Sequence, residues 1–421
     1  MPCHDNHYRP TLELLEKRDL PATAQLSGGM LYVTSTASHD YISVSQNNGQ
    51  LSVRNTPIHV GSSTVNSVST NAVTKVVVYA YGGSDVINLR PSAATTVTED
   101  SYIYAGGGSN QVYGGNGSNY IQAGGAGGNT LVGGTGTDYF VGGPTDTFRG
   151  GGGFDWFYRA FNTTSPFVSG ERVSDVRQGK APSCQSDAAL AEAVQQGFNF
   201  ANSIHYLGNS TYDVTLSGGA VHEHVTFNGW YNSDDPVPAA PGEYWTILMY
   251  RARLEMFGID PNVHYTTAQW DALDRSLNGK LYSVANAITT FTGRGASFSP
   301  LTGATPQSLQ TALAHGDYLV ASTPQGSGAT ADGIIYDHSY AVMSVYYDAG
   351  MWKVRLYNPW GFDSINNRTI ESLAGGTPQN RGFITLSWAQ FTSTANFQGI
   401  TRASATAAQA ALFHSLSGSR E

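Results

Sequence analysis

Three residues of this 421-residue chain have the types and the order that nucleophilic chemistry needs: Cys184, His338 and Asn358. A thiol attacks well only when a base takes its proton, and the base works only when a third group fixes its tautomer. His338 and Asn358 lie within the stretch IIYDHSYAVMSVYYDAGMWKVRLYNPWGF, residues 334–362. It reads as two strands of alternating and β-branched residues around a turn at Asp348-Ala349-Gly350. Folding at that turn brings His338 and Asn358 almost opposite each other, within a residue or two of register. The Asn amide can accept the proton of one ring nitrogen and leave the other for a thiol, and Trp360 can cover that hydrogen bond. A hairpin with a chance polar pair is the bland alternative. The Asn-Pro-Trp-Gly run that closes the second strand speaks against it.

The thiol must be delivered by another element. Pro182 and Ser183 suit a helix start, with Ser183 at the N-cap, and the Ala-rich run to Gln196 continues the helix until Gly197 stops it. Cys184 then sits in the first turn, where the positive helix end and a paired imidazolium lower a thiol pKa. Taken alone, a buried small hydrophobe at a helix end is an equal reading of Cys184. The downstream His338 and Asn358 decide for the catalytic one. Gln178 lies six residues earlier, on the loop feeding this helix.

His-x-Tyr followed by a strand pair ending in Asn-Pro-Trp-Gly resembles the second half of the calpain protease core, a papain-like cysteine peptidase. Gln178, Gly179 and Cys184 match that family's Gln-Gly-x-x-Gly-Asp-Cys-Trp stretch at the same spacing, while Pro182, Ser183 and Gln185 replace its Gly, Asp and Trp. Pro241–Gly258 resembles the family helix with Glu-x-Trp near its start and is expected to be amphipathic. Arg381–Ala403 resembles the closing strand and its Phe-rich turn. The resemblance implies an α+β papain-like domain over 176–405 that hydrolyses protein or peptide substrates. It implies Cys184 as nucleophile attacking as a thiolate, His338 as the partner that holds this thiolate in an ion pair and later protonates the leaving amine, Asn358 as its orienter and Gln178 as oxyanion donor, with Trp360 in support and no cofactor required for the chemistry. Two rivals stand beside it. A decayed protease acting as an extracellular binding module is motivated by the missing Trp after Cys184. A thiol transglutaminase or amidase is disfavoured, for the former, by Asn358 where that chemistry uses Asp.

Ahead of this half, residues 25–158 read as a Gly-rich all-β region. Four units, GGNGSNYI, GGAGGNTL, GGTGTDYF and GGGGFDWF, place an apolar residue two positions after an Asx: Ile121, Leu131, Phe140 and Phe157. Asp85 with Ile87, Asn110 with Val112 and Asp146 with Phe148 repeat the spacing. Glycines make tight turns, and the apolar residue points into a core that only stacked units can bury, which predicts a β-solenoid. The pattern resembles the calcium-binding nonapeptide of RTX β-rolls. That resemblance makes Asp138, Asp146 and Asp155 the candidate Ca²⁺ ligands, although Asn stands at 110, 119 and 129.

Composition bounds the rest. The net charge is −9 and only 13% of residues are charged, which argues against nucleic acid or an anionic membrane as partner. No apolar run approaches the roughly 18 residues of a membrane span. Two distant cysteines, Cys3 and Cys184, make no disulfide framework. Residues 1–24 lack an apolar signal core and resemble the Leu-Glu-x-Leu-Glu-x-Arg-x-Leu-type segment of exported planctomycete proteins, an indication of extracytoplasmic or cell-surface placement, with an intracellular one as the alternative. A linker is expected over 159–175 and a tail over 406–421. His222-Glu223-His224 offers a possible metal pair that lacks a third ligand. Asp332 and Asp337 flank His338 as loop residues or Ca²⁺ ligands.

Overall fold

The computed structural model describes residues 22–410 apart from 125–126, 144, 160–163, 169, 241, 362–381 and 408. Residues 1–21 with Cys3, residues 362–381 with the first residue of the expected closing segment, and the tail beyond 410 lie outside the described residues. The architecture is β-rich, with several sheets and six α-helices among the described residues: α1 (Cys184–Gln195), α2 (Trp245–Met256), α3 (Thr267–Ser276), α4 (Val284–Thr292), α5 (Pro306–Ala314) and α6 (Trp388–Phe391). The chain divides into two units, Met1–Thr130 and Leu131–Glu421.

In the first unit, short strands stack in parallel. Met30–Thr34, Lys75–Tyr79, Asp100–Tyr104 and Asn119–Gln122 pair in register, so that Leu31, Val76, Ser101 and Asn119 share one row. A second parallel row joins Tyr41–Asn47, Val86–Asn88 and Gln111–Tyr113. Period-2 alternation sends Val33, Val78, Ile103 and Ile121 inward from the first row and Ile42, Ile87 and Val112 from the second, all buried. The Asx positions point inward as well. The Asp85 carboxylate accepts the Asp40 N–H (2.7 Å), the Asn110 amide oxygen accepts the Asp85 N–H (2.7 Å), and the Asn129 amide oxygen accepts the Asn110 N–H (2.7 Å). A side-chain ladder thus satisfies backbone donors that the tight turns leave without strand partners.

The second unit begins with the same motif. Tyr139–Gly142 pairs in parallel with Trp156–Arg159, and Phe140, Phe148 and Phe157 stack at 5.3–6.0 Å between ring centroids. The stack does not end there. Strand Trp230–Asn232 pairs antiparallel with Trp156–Arg159, and Tyr231 adds its ring 5.4 Å from Phe157. The described residues of the expected linker are also fastened: Tyr244 N–H donates to Pro166 O, Phe167 stacks on Trp245, and Glu171 accepts the Ala201 N–H.

The remainder is built on a six-stranded sheet in the order Ser297–Pro300, Gly399–Ala403, Tyr318–Ser322, Ser339–Asp348, Met351–Tyr357, Phe383–Ser387. The central hairpin pairs Asp348 with Met351 and Ala341 with Tyr357, with a bulge between Val342 and Ser344. One cluster of Leu309, Leu319, Tyr340, Val342, Leu356 and Phe397 forms its main core. α1 also packs on this sheet, and its buried Glu192 accepts the Leu319 N–H at 3.1 Å. α2 differs from expectation. Its ten residues from Trp245 to Leu254 are all buried, so the helix is central rather than amphipathic. Its charges have internal partners: the Arg251 guanidinium grips the Asp235 carboxylate at 2.9 and 2.5 Å, and Arg253 donates to Ser186 Oγ and to the carbonyls of Lys280 and Leu281.

Candidate active site

The hairpin register puts His338 just before the first strand and Asn358 just after the second, at the same open end of the sheet. His338 Nε2 lies 2.9 Å from Asn358 Oδ1. An amide oxygen only accepts, so the neutral ring carries its proton on Nε2 and presents the Nδ1 lone pair elsewhere. Asn358 Oδ1 accepts a second bond from the Trp360 backbone N–H at 3.0 Å, which turns the amide toward the ring. The Trp360 ring lies 4.9 Å from the imidazole, and the Tyr340 ring stands edge-on to it at 5.0 Å. Thr323 fixes the backbone of His338 from the neighbouring strand, its hydroxyl accepting the His338 N–H (2.8 Å) and donating to the His338 carbonyl (3.1 Å).

Cys184 opens α1 and lines one cavity of about 760 Å³ together with Gln178, Gln185, His338, Ser339 and Trp360. Ser183 is the N-cap residue, but its hydroxyl donates to Asp187 Oδ2 (2.6 Å) instead of capping the helix. Gln178 is buried. Its backbone N–H donates to Pro359 O (2.9 Å), and its side-chain nitrogen gives one hydrogen to Ala181 O (2.8 Å). The adjacent Tyr357 hydroxyl donates to Val176 O at 2.7 Å. The loop before the helix is thereby tied to the Asn-Pro-Trp-Gly segment. Gly179 is required where it stands: a Cβ there would fall 2.1 Å from Asp235 O.

The electrostatics depart from the helix-end argument. Burial pushes the Cys184 thiol up to about 12, with Asp187 next in effect, and the Ser339 and Gln185 backbone N–H groups pull back less strongly. Burial also pulls His338 down to about 4 against the opposing bond to Asn358. Desolvation of the charged forms outweighs the helix end and favours a neutral thiol beside a neutral imidazole. Asp187, itself raised to about 7 by burial, is the charge that sequence reading missed. It lies three residues after the thiol, and only its burial makes it matter.

The acidic residues of the repeat face backbone donors. Asp138 Oδ2 accepts the Gly134 N–H, Asp146 Oδ2 the Gly143 N–H, and Asp155 Oδ1 the Asp138 N–H. His222 and His224 both lie beside Asp213 on an exposed strand, and Asp332 is held by Gln390 and Asn396. No group of three or more His, Cys, Asp or Glu that could hold a metal occurs among the described residues. Asp337 lines the cavity beside His338.

No protein-family model matches this chain, and no curated protein matches it.

Proposed function

We propose that this chain is a calpain-like cysteine endopeptidase, with a papain-type catalytic part over about 176–405 carried on an N-terminal β-solenoid. The observation that carries the reading is the His338–Asn358 bond at the end of the hairpin, in a cavity shared with Cys184 and Gln178. The parallel rows and the buried apolar residue after each Asx support the solenoid. The extracytoplasmic placement rests on the leader segment alone. No helix among the described residues is long and apolar enough to cross a membrane.

The chemistry runs on the chain's own groups. As Cys184 Sγ bonds to the carbonyl carbon of a peptide, its proton passes to His338 Nδ1. The oxygen gains negative charge only then. The Cys184 backbone N–H and the second hydrogen of the Gln178 amide are the donors for it. Collapse expels the amine, which takes the proton from the imidazolium. Water, deprotonated by His338, hydrolyses the thioester and restores the thiol. Asn358 keeps the ring in the required tautomer throughout.

Cys184→Ala should abolish hydrolysis of an unstructured protein such as casein while the melting curve stays near that of the wild type. An epoxide probe should label the wild type at Cys184. Turnover by the Cys184→Ala protein would sink the proposal, and incorporation of amines in place of hydrolysis would move it to the transglutaminase rival.

A further inference from the structure

The last Gly-rich unit, GGGGFDWF at 150–157, turns three oxygens toward one point, and a side chain from outside the repeat fills it. Lys180 Nζ donates to Gly151 O (3.0 Å) and Gly153 O (3.1 Å) and lies 3.3 Å from Asp155 Oδ2. Two turn carbonyls and a carboxylate are the donors that a hard cation takes from such a turn. Here the cation is covalently part of the chain. Asp155 is fully buried and the Lys180 side chain is about a quarter exposed, so the ammonium closes the turn from its open side.

Lys180 sits between Gln178 and Cys184. Its backbone N–H donates to Ser233 O (2.6 Å), while the Ser233 N–H donates to Asp155 O (2.8 Å). The loop is therefore anchored at Gln178 on the Asn-Pro-Trp-Gly segment, at the Lys180 backbone on residue 233, and at the Lys180 ammonium on the repeat. We propose that Lys180 is a tethered cation which fills the oxygen-lined pocket of the last repeat turn and thereby positions the 178–183 loop that presents Gln178 and Cys184. It is a positioning residue, and its role in catalysis rests on the peptidase reading above.

The test uses the full chain and does not depend on hydrolysis. Wild type and Lys180→Ala are melted in EDTA and in millimolar Ca²⁺, and the rate of Cys184 alkylation by iodoacetamide is followed in both. The wild-type melting temperature should be the same with and without Ca²⁺. Lys180→Ala should melt several degrees lower in EDTA and alkylate several-fold faster, because the loop that leads to the thiol and lines its cavity is loosened. Ca²⁺ should enter the vacated turn and reverse part of both changes in the variant alone. A Lys180→Ala protein that melts and alkylates like the wild type overturns the proposal, and so does a variant whose defects ignore Ca²⁺. Where hydrolysis is measured as well, Lys180→Ala should lower kcat with KM little changed. Failure of the wild type to hydrolyse any peptide would overturn the peptidase reading and leave the melting and alkylation results to judge the cation claim.

Discussion

At the scale of single residues, the resting state of the thiol decides how this site starts. Cys184 is held up to about 12 and His338 down to about 4, chiefly by burial. A preformed thiolate–imidazolium pair would alkylate at a rate that is flat across neutral pH. A neutral pair gives a rate that is low at pH 7 and still climbing above about pH 9, as the thiol itself ionises. Iodoacetamide kinetics on the free protein should show the second profile. Asp187 sharpens the expectation. It ionises at about pH 7, and its negative charge then opposes a thiolate on the same helix. Asp187→Asn keeps an oxygen to accept the Ser183 hydroxyl and removes that charge, so the climb should begin at lower pH. A plateau from acid to alkaline pH in the wild type would show that the ion pair forms despite burial.

At the scale of elements, the Asx ladder asks for an oxygen at each position and not for a charge. Asn110 and Asn129 supply it as well as Asp85 does, while Asn119, outside that column, accepts the Ser101 hydroxyl and the Gly115 N–H and donates to Gly115 O and Gly117 O. Asp85 pays for its charge by being raised to about 6 through burial, and its second carboxylate oxygen is a buried atom without a partner among the described residues. A carboxylate raised above its unfolded value favours the fold below about pH 4, and that contribution is lost as pH rises through the folded value near 6. Asp85→Asn should therefore raise the melting temperature by a few degrees at pH 8 and leave it unchanged at pH 4. A loss at pH 8 would mean that the carboxylate has a bonded role beyond the ladder. The ladder was not legible in the sequence, which gives residue types at a spacing but not the direction in which they turn. The same letters that resemble a metal-binding repeat form an internal hydrogen-bond column. What local chemistry specifies was legible: α1 begins at Cys184, directly after Ser183, and the hairpin turns at Asp348. α2 misled because Arg251 and Arg253 look like a solvent face until Asp235 and Ser186 are found beside them. His338, Asn358 and Cys184 could be named from type and order, whereas Thr323 and Asp187 became visible only through burial and strand register.

At the scale of the whole molecule, the repeat and the part that carries Cys184, His338 and Asn358 meet inside the second unit, Leu131–Glu421. The joint has three parts: strand Trp230–Asn232 on strand Trp156–Arg159, Tyr231 on the Phe140–Phe148–Phe157 stack, and Lys180 on the turn at Gly151–Asp155. Sequence reading placed a boundary at 158 because composition changes there, from Gly-rich to ordinary. Composition says nothing of a strand added from seventy residues downstream. A fragment starting at 165 loses the partner of Trp230–Asn232 and uncovers Tyr231. It also removes the carboxylate and carbonyls that hold Lys180. Next to that exposed edge lies the Arg251–Asp235 pair, with both groups almost fully buried. Loosening the edge wets one side of a buried ion pair whose disruption costs about 3–5 kcal/mol. A fragment of residues 131–421 should therefore melt in one cooperative transition and retain slow Cys184 alkylation at pH 7. The fragment from 165 should melt far lower or fail to fold, and its thiol should react freely. Equal melting temperatures for the two fragments would show that the repeat rungs at 131–159 are an appendage to the part that carries Cys184 and not a wall of it.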